Sequence, residues 1–389
     1  MPALIMRYLK FILPLIAVIG IDLLFQLGAY EPIASPQSHA GMSISVKRAL
    51  DTPAFKRFDL VTLGSSRPVY GIDHEALTRL AAARGLVYAN LSVPGMHWMS
   101  LGVITDWLVR HHPEVQGGII ALAVQDFLAP GNGSYELGIA YPFRTFSEIP
   151  WMKEHVPFDW HDPSTYGLYS GLFEYHEDVQ DLVAHPVHRR KLLRWFHARM
   201  PQQVLQANAS ETTGLCSAGI SKLSDCATMA ARDPSLAAKL APQCRMLEDA
   251  AKGRYGLRPY LEGRKPVPAQ LAKARDLVRA QLRALHWKIP PVIVLMPMHD
   301  AWLRDAMPEG AHAWALHVLA PLVADGTIRL LDETNLFNSD SGTDCSAFFD
   351  FYHNNVSGRE RFMRVVLPDL RSDLIDKAVV PEAEPKITP

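Results

Sequence analysis

The sequence predicts an α/β protein built on a doubly wound parallel sheet, with a large, mostly helical insertion and an N-terminal transmembrane helix. Three observations predict this: five short apolar runs that alternate with helical patterns, a long segment of little strand character after the third run, and an apolar N-terminal stretch.

The composition of the 389 residues, 48% apolar and 20% charged, is typical of a folded chain and excludes a mostly disordered protein. Because 39 Lys and Arg residues nearly balance 40 Asp and Glu residues, the charge argues against nucleic acid as a partner.

The N-terminal apolar stretch, Phe11–Tyr30, contains a single charge, Asp22. At about 1.5 Å per residue, its helix would cover roughly 30 Å, the thickness of a hydrocarbon core. Arg7 and Lys10 precede it, so the positive-inside rule predicts a cytoplasmic N-terminus and an exported remainder. We therefore expect an uncleaved membrane anchor over residues 1–30, with a cleaved signal peptide as the alternative.

The cysteines are also consistent with export. The chain has four cysteines, Cys216, Cys226, Cys244 and Cys345. No two of them form a C-x-x-C motif, so a zinc site has weak support. An even number of cysteines outside the cytoplasm suggests disulfides. Three pairings exist, of which we expect Cys216–Cys226 with Cys244–Cys345.

The globular domain is predicted over residues 56–376, after a juxtamembrane linker at 31–55. Helices are predicted over 73–84, where an Asp serves as N-cap, and over 269–287, where apolar residues recur on one face. The strand candidates are short, apolar on both faces and bounded by turn residues, which suits buried parallel strands. These runs are Phe58–Leu63, Leu86–Leu91, Gly118–Val124, Val292–Met296 and Thr327–Leu331.

Two segments lie outside this alternation. Residues 128–289 are too long for a loop, rich in Pro, Trp, Tyr and His, and are predicted to form a helical insertion or cap. Residues 377–389 are rich in Pro and charge, and we expect a disordered tail.

The first predicted strand ends in Leu63-Gly64-Ser65-Ser66-Arg67-Pro68, at the edge where open α/β sheets bind ligands. Glycine permits the tight turn, and the N–H groups that follow can face a developing oxyanion. Ser66 is therefore a candidate nucleophile, with a helix-capping turn as the alternative.

A serine nucleophile needs a base, and the base needs an orienting group on its other ring nitrogen. The motif Asp350-Phe351-Tyr352-His353 can supply both from one loop. Gly95, after the second strand, offers an N–H unobstructed by a side chain, which suits a second oxyanion donor. The third strand ends in Ala123-Val124-Gln125-Asp126-Phe127, at the same edge.

These four segments, namely the ends of the first three predicted strands and the late D-x-x-H motif, occur in the order typical of the SGNH, or GDSL-like, hydrolase superfamily. The chain resembles this superfamily over residues 57–127 and 290–366. The resemblance implies a flavodoxin-like sheet, in which Ser66 is the nucleophile and Ser65, a rival nucleophile, replaces the usual Asp. It implies that Gly95 is an oxyanion donor and that Gln125 takes the position of the family's Asn donor. Asp350 and His353 take the positions of the orienting acid and the general base.

The Gly-Ser-Ser variant, the anchor and the late D-x-x-H motif are similar to membrane-anchored SGNH-like acyltransfer proteins. These include the D-alanyl transfer protein of teichoic acid synthesis and the O-acetyltransferases of alginate and other exopolysaccharides. The resemblance implies an O-acyltransferase that acylates a cell-envelope or secreted polysaccharide through a Ser-His-Asp acyl-enzyme, with acetyl as the expected group and no cofactor. An esterase with the same triad and a non-catalytic assembly protein of an envelope polysaccharide machinery are the alternatives.

The same resemblance implies a location and a partner. We expect a single pass through a bacterial cytoplasmic membrane, with the globular domain in the periplasm or extracytoplasmic space. The partner would be a multispanning membrane-bound O-acyltransferase. Asp22, which is costly in lipid, would fit contact with such a partner, or it is tolerated near the outer interface.

Further residues are candidates for substrate binding. His299 follows the fourth strand and could line the site, with a surface or capping role as the alternative. Arg67 is adjacent to the nucleophile. His97 and Trp98 follow Gly95 and could form a wall for the acceptor, with core packing as the alternative.

Overall fold

In the computed structural model, the described residues are 2–50, 57–128, 134–155, 163–197, 219–252, 261–262, 265–266, 268–339 and 342–379. The strands of its main sheet are β1 (Leu60–Gly64), β2 (Tyr88–Asn90), β3 (Gly117–Leu122), β4 (Val292–Leu295) and β5 (Arg329–Asp332). The α-helices are α1 (Pro2–Gln26), α2 (His39–Leu50), α3 (Ser66–Gly71), α4 (His74–Ala82), α5 (Trp98–His111), α6 (Ser134–Ala140), α7 (Ile149–His155), α8 (Gly171–Glu174), α9 (His176–Ala184), α10 (Pro186–His197), α11 (Leu223–Arg232), α12 (Pro234–Ala251), α13 (Pro268–Ala284), α14 (Ala311–Ala324) and α15 (Val356–Leu370).

The main sheet has five strands, all parallel, which confirms the predicted α/β class. The strand order is β2-β1-β3-β4-β5, so the direction of winding reverses between β1 and β3. At such a reversal, the crevice beyond the carboxyl ends of the strands is the usual ligand site of an open α/β sheet. The strands β1 to β4 are buried along their whole length, which explains why their sequences are continuously apolar.

Alternate residues of each strand pack on opposite faces of the sheet. Leu63, Ile120 and Leu295 join a cluster with α5 and α14 on one face. Leu60, Ile119 and Val294 join a second cluster with α4 and α15 on the other. Both faces are therefore covered by helices, and the carboxyl edge of the sheet is left for the loops that carry the candidate site.

The two predicted helices are present. The predicted helix at 73–84 corresponds to α4, and the Asp73 side chain caps it by accepting a hydrogen bond from the Ala76 N–H (2.8 Å). The predicted helix at 269–287 corresponds to α13. Between β3 and β4, the described residues form α6 to α13, with short 3₁₀ turns and one hairpin of Leu261–Glu262 with Lys265–Pro266. The helical character predicted for the insertion therefore holds in its described part.

The expected disulfide pairing is wrong. Cys226 is bonded to Cys244, which links α11 to α12, two consecutive helices. Both cysteines are buried in a cluster with Met229 and Leu240, because each lies on the face where the two helices meet. Cys345 also forms a disulfide, and Cys216 lies outside the described residues.

The N-terminal region differs from the predicted anchor and linker. In the described part of the chain, no helix is long and apolar enough to cross a membrane, so the predicted transmembrane helix is not supported. Much of the predicted linker is a helix, α2, with seven buried residues. Residues 51–56 and the tail beyond residue 379 lie outside the described residues.

Asp22 has its partner within the chain. Its Oδ1 accepts hydrogen bonds from the Ser170 hydroxyl (2.6 Å) and the Leu172 N–H (2.9 Å), and its Oδ2 accepts one from Gln26 Nε2 (2.7 Å). Three donors satisfy this carboxylate, so no second protein is needed to explain it. Asp22 joins α1 to the start of α8 in the insertion.

A buried ion pair makes a second connection between the N-terminal region and the insertion. Arg189 on α10 pairs with Asp178 on α9 through both terminal nitrogens (3.0 and 3.1 Å). The Asp178 carboxylate also accepts from the Tyr30 hydroxyl (2.7 Å) and the Ser35 N–H. The segment after α1 is thereby held against α9 and α10.

Candidate active site

The carboxyl edge of the sheet brings together the loops that the sequence singled out. Ser66 follows β1, Gly95 follows β2 and Gln125 follows β3, while the D-x-x-H motif lies between β5 and α15. The Val93 N–H donates to the Gly64 carbonyl (3.0 Å), which holds the second loop beside the first. The candidate residues therefore converge at the point where the winding of the sheet reverses.

The backbone after β1 fixes the position of Ser66. Gly64 has φ +155°, and a Cβ there would lie 2.4 Å from the Ala121 carbonyl oxygen, so the turn requires glycine. Ser65 is the N-cap of α3 and its Oγ accepts from the Arg67 N–H (3.5 Å). Ser66 is consequently the first residue of α3, and its own N–H has no partner in the helix.

Ser66, His353 and Asp350 form a hydrogen-bonded chain. Ser66 Oγ lies 2.7 Å from His353 Nε2, and His353 Nδ1 lies 2.8 Å from Asp350 Oδ2. An ionised carboxylate only accepts hydrogen bonds, so Nδ1 carries the ring proton and Nε2 accepts from the Ser66 hydroxyl. This arrangement is the one that general-base activation of a serine requires.

The loop that carries the base is held by its own hydrogen bonds. Asp350 Oδ1 accepts from the N–H groups of Tyr352 (2.9 Å) and His353 (2.8 Å), so the carboxylate is fixed on both oxygens. The Phe349 N–H donates to the His353 carbonyl (2.8 Å). Asn355 caps α15 by accepting from the Gly358 N–H (2.8 Å). The imidazole is therefore oriented by a rigid turn at the start of a long helix.

Two tyrosine rings lie against the imidazole. The ring centroids of Tyr70 and Tyr352 lie 4.7 and 4.2 Å from that of His353. Tyr70 comes four residues after Ser66, so α3 supplies both the candidate nucleophile and one of the rings. Neither tyrosine is predicted from the sequence, although the i,i+4 spacing from Ser66 could have indicated Tyr70.

Two backbone N–H groups are available for an oxyanion. Among the described residues, neither the Ser66 N–H nor the Gly95 N–H donates a hydrogen bond. Gly95 has φ +87°, a conformation that favours glycine. Gln125 Oε1 accepts from Trp302 Nε1 (2.9 Å), which anchors the side-chain amide through its oxygen and does not involve Nε2, the group that could donate to an oxyanion.

Beside Ser66 lies a buried cluster of titratable side chains. Arg67 and Asp126 are each 4% exposed. His97 Nε2 lies 3.6 Å from Asp126 Oδ1, and His97 Nδ1 lies 3.8 Å from Glu136 Oε1. Burial lowers the pKa of His97, with Asp126 opposing this shift. His97 is therefore part of this cluster, a role that the sequence analysis did not predict.

Trp98 does not form a wall for an acceptor. It is 1% exposed, its Nε1 donates to the Asp126 carbonyl (2.7 Å), and its ring packs edge-on against Phe127. At the first position of α5 the side chain points into the core, which agrees with the alternative interpretation of core packing.

His299 packs beneath the D-x-x-H loop. Its ring contacts the rings of Phe348 and Phe351. The backbone N–H of His299 donates to the Phe351 carbonyl (3.2 Å). Burial lowers the pKa of His299 to about 4, so the ring is neutral near pH 7. His299 is buried rather than lining the surface of the site.

No protein-family model matches the chain, and no curated protein matches it. Within the described ranges, no group of three or more His, Cys, Asp or Glu side chains is placed to hold a metal ion.

Proposed function

We propose that the protein is an SGNH-like serine acyltransferase that moves an acyl group, with acetyl expected, onto a hydroxyl of a cell-envelope or secreted polysaccharide. The observation that carries the proposal is the continuous chain from Asp350 through His353 to Ser66, with distances of 2.8 and 2.7 Å. The strand order and the Gly-Ser-Ser turn after β1 support the assignment to this class.

The proposed mechanism has two steps, acylation of Ser66 and transfer of the acyl group to the acceptor. Ser66 Oγ attacks the acyl carbonyl while His353 Nε2 takes the hydroxyl proton, and the N–H groups of Ser66 and Gly95 stabilise the oxyanion. The tetrahedral intermediate then expels the leaving group, which takes the proton from His353, and leaves an ester on Ser66. In the second step an acceptor hydroxyl gives its proton to His353, attacks this ester and departs as the acylated product, and the proton returns to Ser66.

The proposal includes an exported location and a membrane-bound partner that delivers acyl groups. The Cys226–Cys244 disulfide supports an oxidising compartment. Contact of α1 with apolar surroundings is supported by its large apolar side chains, of which nine are between 45% and 59% exposed. These are Ile12, Leu13, Leu15, Ile16, Val18, Ile19, Ile21, Leu23 and Leu24.

Labelling with a fluorophosphonate tests the catalytic serine. The folded wild-type protein should be labelled, and Ser66→Ala and His353→Ala should not be. Ser65→Ala is the matched control, because this neighbouring serine contacts the Arg67 N–H rather than His353, and it should keep its labelling. A folded wild-type protein that is not labelled contradicts catalysis and favours the assembly protein.

A second experiment separates transfer from hydrolysis. Phenyl acetate is supplied with and without an oligosaccharide acceptor, and the acceptor is analysed for ester by mass spectrometry. Acetylated oligosaccharide that is absent in Ser66→Ala supports the transferase. Free acetate as the sole product in the presence of acceptor would show an esterase with the same triad.

A further inference from the structure

Arg67, the residue after Ser66, is a buried arginine with no described ion pair to a carboxylate. Its side chain is 4% exposed, although arginine is almost never fully buried unless paired. Its guanidinium carbon lies 5.4 Å from the centroid of the Tyr352 ring, in the loop that carries the base. The charge therefore lies between the two loops that form the catalytic chain.

Two of its nitrogens, Nε and Nη2, have no hydrogen-bond partner and no access to solvent. The negative charges that act on it are those of Asp126 and Asp350, and neither carboxylate forms a described hydrogen bond or ion pair with Arg67. Asp126 accepts from the Ala123 N–H, and Asp350 accepts from His353 and its loop. Because a guanidinium cannot lose its proton in a protein, the site keeps a charged donor without an acceptor.

Arg189 shows what a structural buried arginine looks like in this chain. It is 1% exposed, and although its Nε has no partner, its two terminal nitrogens bond to the carboxylates of Asp178 and Asp181, at distances down to 2.6 Å. Breaking a buried ion pair costs about 3–5 kcal/mol, so a fold that needs a buried arginine for stability pairs it. Arg67 lacks this pairing, which points to an acceptor that arrives with the ligand.

We propose that Arg67 binds an anionic group, a carboxylate or phosphate, on the substrate that Ser66 attacks. The planar donor fork of a guanidinium matches both groups, and a charge-assisted bond is strong where water is excluded. The proposal rests on the proposed acyl transfer, and it assigns the substrate class to that site: the acyl group or the molecule that carries it is negatively charged.

Binding of inorganic phosphate and succinate tests the anion site without any catalysis. Either anion should raise the Tm of the Ser66→Ala protein by at least about 2 °C, and the rise should be absent in Ser66→Ala/Arg67→Gln. Arg361→Gln, which removes a surface arginine, is the control and should keep the rise. No rise in Ser66→Ala, or a rise that persists without Arg67, would overturn the proposal.

Three esters then locate the anion: phenyl acetate, monophenyl succinate with a carboxylate on the acyl group, and 4-acetoxybenzoate with a carboxylate on the leaving alcohol. In Arg67→Gln, kcat/KM should fall about 30-fold or more further for an anionic ester than for phenyl acetate. Arg67→Lys keeps the charge in case the neutral variant does not fold, and should lose less. Equal losses for all three esters overturn the proposal, whereas anion binding in a protein that hydrolyses no ester refutes only the acyl transfer.

Discussion

Replacing Asp350 by asparagine tests how the triad distributes its protons. The asparagine Oδ1 can still accept from the Tyr352 and His353 N–H groups, so the loop keeps its shape. The other position, 2.8 Å from His353 Nδ1, becomes an amide nitrogen, which only donates. Nδ1 must then accept, and the ring proton moves to Nε2.

In that tautomer Nε2 presents a proton to Ser66 Oγ across 2.7 Å and cannot take one. The variant therefore keeps the nucleophile, the oxyanion N–H groups and the fold, but loses the base. A wrong imidazole tautomer in a serine triad lowers kcat by about 10⁴-fold, and four factors of ten correspond to about 5 kcal/mol of activation free energy. We expect a loss of this size in Asp350→Asn.

The measurement is the rate of fluorophosphonate labelling together with the hydrolysis of phenyl acetate. The matched control is Asp344→Asn, because Asp344 caps a neighbouring turn through the Ser346 N–H and has no described contact with the triad. Asp344→Asn should react within about threefold of wild type. If Asp350→Asn unfolds at the wild-type temperature yet reacts within tenfold of wild type, the assignment of base and orienting acid is refuted.

Three other predictions concern stability. Burial lowers the pKa of His74 from 6.5 to about 3, so between these pH values the unfolded state binds more protons than the folded state. The free energy of unfolding should therefore fall as the pH drops from 6.5 to 3. The urea midpoint should fall less steeply with pH in His74→Gln than in the wild type, and an unchanged slope would show that His74 does not cause this pH dependence. Replacing Cys226 and Cys244 together by serine removes a cross-link over a separation of 18 residues, and should cost about 3 kcal/mol in urea unfolding; an unchanged midpoint would show that the bond contributes nothing. Arg189→Met leaves the Asp178 carboxylate buried without its cation, and should cost about 3–5 kcal/mol in thermal unfolding; adding Asp178→Asn should recover part of this loss, whereas additive losses would exclude the coupling.

The strands and the triad could be predicted from the sequence for the same physical reason. Strands covered on both faces must be apolar throughout, so β1 to β4 appear as continuous runs. Parallel strands bring their carboxyl ends to one edge, so Ser66 after β1 and His353 in the loop after β5 could be expected to meet despite their distance along the chain.

The remaining features depend on which surfaces meet, and local patterns do not contain that information. Cys226 and Cys244 pair because consecutive helices bring their Cα atoms to 5.8 Å, whereas spacing alone allows three pairings. The cost of Asp22 is visible in the sequence, but two of its three donors, Ser170 and Leu172, lie about 150 positions away. The burial of Arg67 runs against the usual preference of arginine for the surface, so no pattern predicts it.

The nucleophile and its base are separated by 287 residues, and this has a consequence during synthesis. At about 5–20 residues per second, a ribosome adds His353 roughly 15–60 s after Ser66. During that interval the growing chain already contains Ser66 but lacks His353, the imidazole that lies 2.7 Å from it in the folded protein. The proposed acyl transfer therefore becomes possible only when nearly all of the polypeptide has been made.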